Sequence, residues 1–179
     1  MEFAFVSGDP ALDLAGTVLA RRDAPVDLLP APADLARWVA ACPGLPDPVR
    51  VDRAGFELAR SLREACYRLA LDRVHGRPFD AASLAIVNRA AAAPPPVVEL
   101  GDAGLRVSGN LRAVLAQIAR GGITVLADPA ARVKECGRAG CTRLYLDRSR
   151  GARRTWCGMA ECGNRVKAAA YRARRKTPA

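Results

Sequence analysis

This chain is poor in the groups that catalysis usually needs. Its 179 residues contain one histidine, His75, placed at a helix end before Gly76 with no nucleophile or carboxylate pattern beside it. There is no glycine-rich phosphate cradle and no metal set with an open position, so no catalytic residue is assigned and the chain reads as a non-enzyme. Aromatics are scarce, at 5% of residues. Only Tyr145, Trp156 and Tyr171 stand among basic residues, few for a protein that stacks single-stranded RNA on interleaved rings. No run approaches the roughly 18 consecutive apolar residues of a membrane span. The opening Met1-Glu2-Phe3-Ala4-Phe5-Val6 has no basic stretch, so neither export nor membrane insertion is expected.

Half the residues are apolar and 26% are charged, an ordinary globular balance for one domain or a domain with an appendage. The charge is unevenly placed. Residues 1–131 carry 14 basic and 15 acidic side chains, a net of −1. Residues 132–179 carry 14 basic and only 3 acidic ones, a net of +11. That asymmetry points to a polyanionic partner for the second piece alone, nucleic acid before an anionic membrane surface. The cysteines make the same cut: Cys136, Cys141, Cys157 and Cys162 fall within 27 residues in the pattern C-x4-C-x15-C-x4-C. In a reducing compartment such a group reads as metal ligands rather than disulfides.

Hydrophobic periodicity predicts a mainly helical first piece. Residues 3–6 read as a short strand. A helix follows over 12–21, with Asp9 as N-cap and Pro10 in the first turn, and a turn at 23–25. The next helices cover 32–42, with Leu35, Trp38 and Val39 inward, and 52–74, with Phe56, Ala59, Leu62, Cys66 and Leu69 inward. Arg60, Arg63, Glu64 and Arg68 lie mostly outside that last stripe. Residues 80–93 form a fourth helix ended by three prolines. Residues 97–100 and 105–108 form a β-hairpin across a four-residue turn. A further helix covers 109–120; propensity breaks it at Gly121-Gly122, and 123–125 fits helix or strand. Cys42 and Cys66 read as small buried hydrophobes.

Four thiolates suit a tetrahedral Zn2+ in a closed structural site, one ion per chain, held by Cys136, Cys141, Cys157 and Cys162. A 48-residue piece with so few bulky apolar residues needs such a staple. Its 15-residue insert reads as strand, turn, strand, with 144–147 and 153–156 pairing, which gives a treble-clef-like finger that ends in a helix. In that helix Val166, Ala169, Ala170 and Ala173 are expected to face the zinc module. Arg165, Lys167, Arg172, Arg174, Arg175 and Lys176, with Arg148, Arg150, Arg153 and Arg154 of the turn, then offer cations to phosphates. Asn164 either orients the helix or contacts a base. Trp156 is expected over the metal site.

Cys141, Tyr145-Leu146-Asp147, Ser149-Arg150, Arg154, Trp156-Cys157, Met159, Cys162-Gly163-Asn164-Arg165 and Lys167 resemble the CGNR zinc finger, over about residues 132–175. Gly8, Leu12-Asp13, Thr17, Asp27-Leu28-Leu29, Trp38, Leu62-Arg63-Glu64-Ala65 and Asn88 resemble the ABATE domain that precedes that finger. The resemblance implies a bacterial, stress-related transcription regulator whose finger binds DNA. It also implies a continuous, mainly helical 109–131.

The sequence thus predicts an α+β protein: a helical regulatory or sensor domain with a small sheet over 1–131, and a four-cysteine finger with a basic helix over 132–179. The expected function is a zinc-dependent, double-stranded DNA-binding transcriptional regulator of the cytoplasm, associated with the nucleoid. Its first domain senses a small-molecule effector or mediates homo-oligomerisation, and no membrane partner is expected. Asp13 and Thr17, polar beside the apolar face of the first helix, are the candidate ligand contacts, although Asp13 equally suits a hydrogen bond within the fold. The alternatives are an RNA-binding zinc protein and a protein-interaction adaptor whose basic tail keeps it in solution.

Overall fold

A computed structural model describes residues 3–176, except the side chains of residues 173, 175 and 176. The fold is α+β, helices with three small two-stranded antiparallel sheets among the described residues. Helix α1 is Pro10–Ala15, capped by Asp9, whose Oδ1 accepts from the Ala11 N–H at 2.8 Å. It stops well short of the predicted residue 21. The Thr17 hydroxyl donates to the Leu14 carbonyl at 2.7 Å, meeting the last-turn acceptor from outside the helix. The chain then enters strand β1, Val18–Leu19, which pairs with β2, Val26–Asp27.

Helices α2 (Pro32–Ala41), α3 (Arg53–Val74), α4 (Ala81–Ala91) and α5 (Leu111–Ala127) follow the apolar spacing. Leu35, Trp38 and Val39 of α2 and the Phe56–Leu69 stripe of α3 are buried as the periodicity requires, and so are Cys42 and Cys66. Together with Leu14, Val114 and Ile118 they form the main core. Arg63 departs from the expected solvent face. It is 3% exposed and grips Asp27 with two hydrogen bonds, at 2.7 and 2.9 Å, which fastens the β1–β2 ribbon to α3.

The predicted break at Gly121-Gly122 does not occur, and α5 runs through both residues. A Cβ on Gly122 would lie 2.9 Å from the Ala11 Cβ, and one on Gly121 would lie 2.9 Å from Asp9 Oδ2. The pair gives up about 1 kcal/mol each of helix propensity to let α1 and its cap approach closely. Between α4 and α5, strands β3 (Val97–Gly101) and β4 (Gly104–Ser108) form the expected hairpin. Pairing extends to Gly101–Gly104, so the turn is two residues shorter than predicted.

Residues 3–6 form no strand; packing holds them instead. Phe5 meets Trp38 with ring centroids 5.7 Å apart, and the Leu146 N–H donates to the Ser7 carbonyl at 2.8 Å. Strand β5, Val133–Glu135, pairs with β6, Leu144–Leu146. The cysteine piece therefore has its hairpin, but one strand earlier than expected, and 153–156 is not a strand. Asp147 explains the difference. Its buried carboxylate accepts from the Ser149 N–H, the Ser149 hydroxyl and the Arg154 N–H, which closes 147–154 as a loop around the 3-10 turn Arg150–Ala152. Val133, Leu144 and Leu146 pack with Leu12, Ala70 and Val125 in a second core that joins the hairpin to the helices.

Candidate metal centre and nucleic-acid surface

The first cysteine pair sits in the β5–β6 connection: Cys136 follows β5, and Cys141 comes shortly before β6. Of the second pair, Cys157 precedes a π turn, Met159–Gly163, and Cys162 lies within it; the turn leads straight into helix α6, Asn164–Lys176. All four sulfurs are buried and lie within 4.8 Å of one another. A tetrahedral zinc with Zn–S bonds of about 2.3 Å spaces its sulfurs roughly 3.8 Å apart, so the donor set and its dimensions fit one ion. The thiols contend for protons: Cys157 Sγ lies 3.5 Å from Cys162 Sγ, and hydrogen bonding from Cys157 pulls the Cys141 thiol down while it pushes Cys157 up. A divalent cation replaces those protons and lets all four ionise. The Cys157 N–H points to Cys136 Sγ at 3.4 Å, and Arg138 Nε donates to Cys162 Sγ at 3.1 Å. Such contacts offset the negative charge of a four-thiolate site. Trp156 and Val6 pack on the cluster, Trp156 in the expected place.

Two side chains hold the loop over this centre. Lys134 donates to Asp147 Oδ2 at 2.7 Å and also to the Ala152 carbonyl. Burial alone would raise the Asp147 carboxyl, but Lys134 and Ser149 together hold it below the carboxylate range. Arg154 stacks its guanidinium 4.5 Å from the Tyr145 ring centroid. It donates to the carbonyls of Trp156 at 2.8 Å, Val6 at 2.7 Å and Cys157. Arg154, expected among the phosphate-facing cations, is thus half-buried and bonded to backbone carbonyls of the finger and of Val6.

The remaining cations of the loop and helix are exposed: Arg148, Arg150, Arg153, Arg165, Lys167, Arg172 and Arg174. The side chains of Arg175 and Lys176 lie outside the described residues. The acids of this piece are all taken by other cations: Glu135 by Arg22 at 2.5 Å, Asp147 by Lys134, and Glu161 by the buried Arg143 at 3.1 Å. Asn164 is exposed and helical in backbone, so it does not cap α6; its N–H continues the ladder to the Met159 carbonyl. Helix α6 leans on the finger less than expected. Val166 is half-buried, while Ala169 and Ala170 are exposed, and the side chain of Ala173 lies outside the described residues.

Asp13 and Thr17 are buried and bonded within the fold. Asp13 Oδ1 accepts from the Ser7 N–H at 2.9 Å, and burial raises its carboxyl to about 6. Thr17 lies within 3.5 Å of Arg63 Nη1, besides its bond to Leu14. The sequence reading passed over Lys134, Arg138 and Arg143. Their signal was proximity to cysteines in a segment where every basic residue looked alike.

Fold and site together define a zinc-finger protein with a helical amino-terminal part. A family model described as "Putative stress-induced transcription regulator", the ABATE family, matches residues 8–129, and a CGNR zinc finger model matches residues 132–175. The chain belongs to the ABATE family and carries one structural zinc in its CGNR finger. No curated protein matches it. Both matches are to regulatory or zinc-finger types rather than enzyme families, which makes this a regulatory zinc-binding protein. No described helix is long and apolar enough to cross a membrane.

Proposed function

We propose that the chain is a transcriptional regulator that binds double-stranded DNA through the finger, in the cytoplasm and on the nucleoid of a bacterium. One observation carries this reading. Seven exposed cations share the finger's loop and α6, while the three acids of the same piece are already paired elsewhere. Phosphates supply the missing counter-charge, and release of their counterions supplies affinity. The zinc fixes the root of α6, and Asn164 and Arg165 open that helix, the end from which an inserted helix reads base edges. Lys167, Arg172 and Arg174 follow as phosphate contacts. Residues 1–131 supply regulation, by sensing an effector or by assembling copies of the chain.

Selection of bound duplexes from a random pool tests this directly. The expected result is an enriched motif, with Arg165→Ala relaxing preference at one base pair by about 1–3 kcal/mol. Equal retention of all duplexes, or preference for single-stranded RNA, would overturn it.

A further inference from the structure

In the β3–β4 hairpin, Val98, Leu100, Leu105 and Val107 fall on one face, with Val98 opposite Val107 and Leu100 opposite Leu105. Val97, Glu99, Arg106 and Ser108 fall on the other. Alternation of this kind belongs to a ribbon with one face covered. Here the apolar face is open: Val98 is 65% exposed, Leu105 70% and Leu100 90%. Among the described residues, the hairpin's substantial contacts are between its own two strands. A lone two-stranded ribbon is marginal in water, so this face needs a cover.

An apolar groove of about 270 Å³ opens between α3, α4 and α5, and its lining includes Ala93 and Arg112, a few residues before β3 and after β4 in the chain. Leu58, Leu62, Ile86 and Leu115 line it, and its charged lining residues are Arg89 and Arg112. A cavity of about 150 Å³ already accepts benzene, so this groove has room for two leucine side chains. The charges also match at the tip, where the hairpin carries Asp102, while Glu99 and Arg106 oppose each other on the other face. Five-residue strands reach roughly 17 Å, enough to cross a helix pair.

We propose that the apolar face of this hairpin seats in the α3–α4–α5 groove of a second copy of the chain, which returns its own hairpin to the first. The exchange is isologous, closes on itself as a twofold dimer, and covers both open apolar surfaces at once. This inference rests on the assembly role proposed above for residues 1–131.

Sedimentation of the full-length, zinc-loaded protein tests it. The wild type sediments as a dimer. A hairpin variant, Leu100→Asp with Leu105→Asp, and a groove variant, Leu58→Asp with Arg112→Glu, each sediment at half that mass. All four positions are exposed, so helical melting stays unchanged. Mixing the two variants restores a heterodimer, because the intact groove of one receives the intact hairpin of the other. Hairpins that merely paired face to face would give no heterodimer and would overturn the exchange. A wild type that is monomeric at every concentration, or a small apolar molecule found in the groove by native mass spectrometry, would also overturn it. DNA binding is scored separately on the same samples. Its loss in the wild type counts against the regulator reading and leaves the exchange standing.

Discussion

Arg154 donates from Nη2 to the carbonyl of Val6, 2.7 Å away in space and 148 positions earlier in the chain. This bond ties the amino terminus to the zinc centre, since the same guanidinium holds the Cys157 carbonyl and Val6 packs against the thiols. Finger and helices therefore meet through a polar clasp on one side and the shared core around Leu144 and Leu146 on the other.

Arg154→Ala is expected to lower stability by about 1.5–3 kcal/mol, the usual worth of hydrogen bonds from a charged donor. The salt dependence of duplex binding should not change, because this residue faces carbonyls rather than phosphates. Chemical denaturation and binding titrations of the same variant separate the two effects. A stable variant with a flatter salt slope would place Arg154 on the DNA instead.

Cys157→Ser should remove the zinc and also lower the midpoint of helical melting, since β5 and β6 share their core with α1, α3 and α5. Elemental analysis should fall from one zinc per chain to none, and wild-type affinity for the metal should fall as acid protonates the thiols. A helical transition unchanged by metal loss would show instead that the two pieces fold independently.

Asp13 gives a pH signature. Burial raises its carboxyl from 3.8 to about 6, so between those values the folded chain holds a proton that the unfolded chain has released. Its contribution is present below pH 3.8 and is lost as pH rises through about 6, a fall of about 3 kcal/mol. The Asp13 carboxyl carbon should titrate near pH 6 in the folded protein, and Asp13→Asn should lack that fall in stability. Titration near pH 4 would show that the carboxyl is not desolvated.

The helices and the four zinc ligands were legible because apolar spacing and C-x4-C pairs are local signals. What escaped depended on distant partners. Gly121-Gly122 reads as a break until Ala11 and Asp9 are packed against it, and Arg63 reads as solvated until Asp27 returns beneath it. Residues 153–156 read as the second strand of a hairpin, yet the Asp147 carboxylate takes the Arg154 N–H into a loop. Arg154 and its exposed neighbours are identical in composition; only the fold separates the half-buried clasp from the exposed cations.

Duplex affinity of the full chain measured across a salt series tests the central claim most directly. Each phosphate neutralised contributes a slope of roughly −0.9 in log affinity against log salt. The account predicts a steep slope for the wild type that flattens by about one unit for each of Arg148, Arg153, Lys167 and Arg172 changed to Ala, with the zinc retained. A wild-type slope near zero, or one that these substitutions leave untouched, would contradict it.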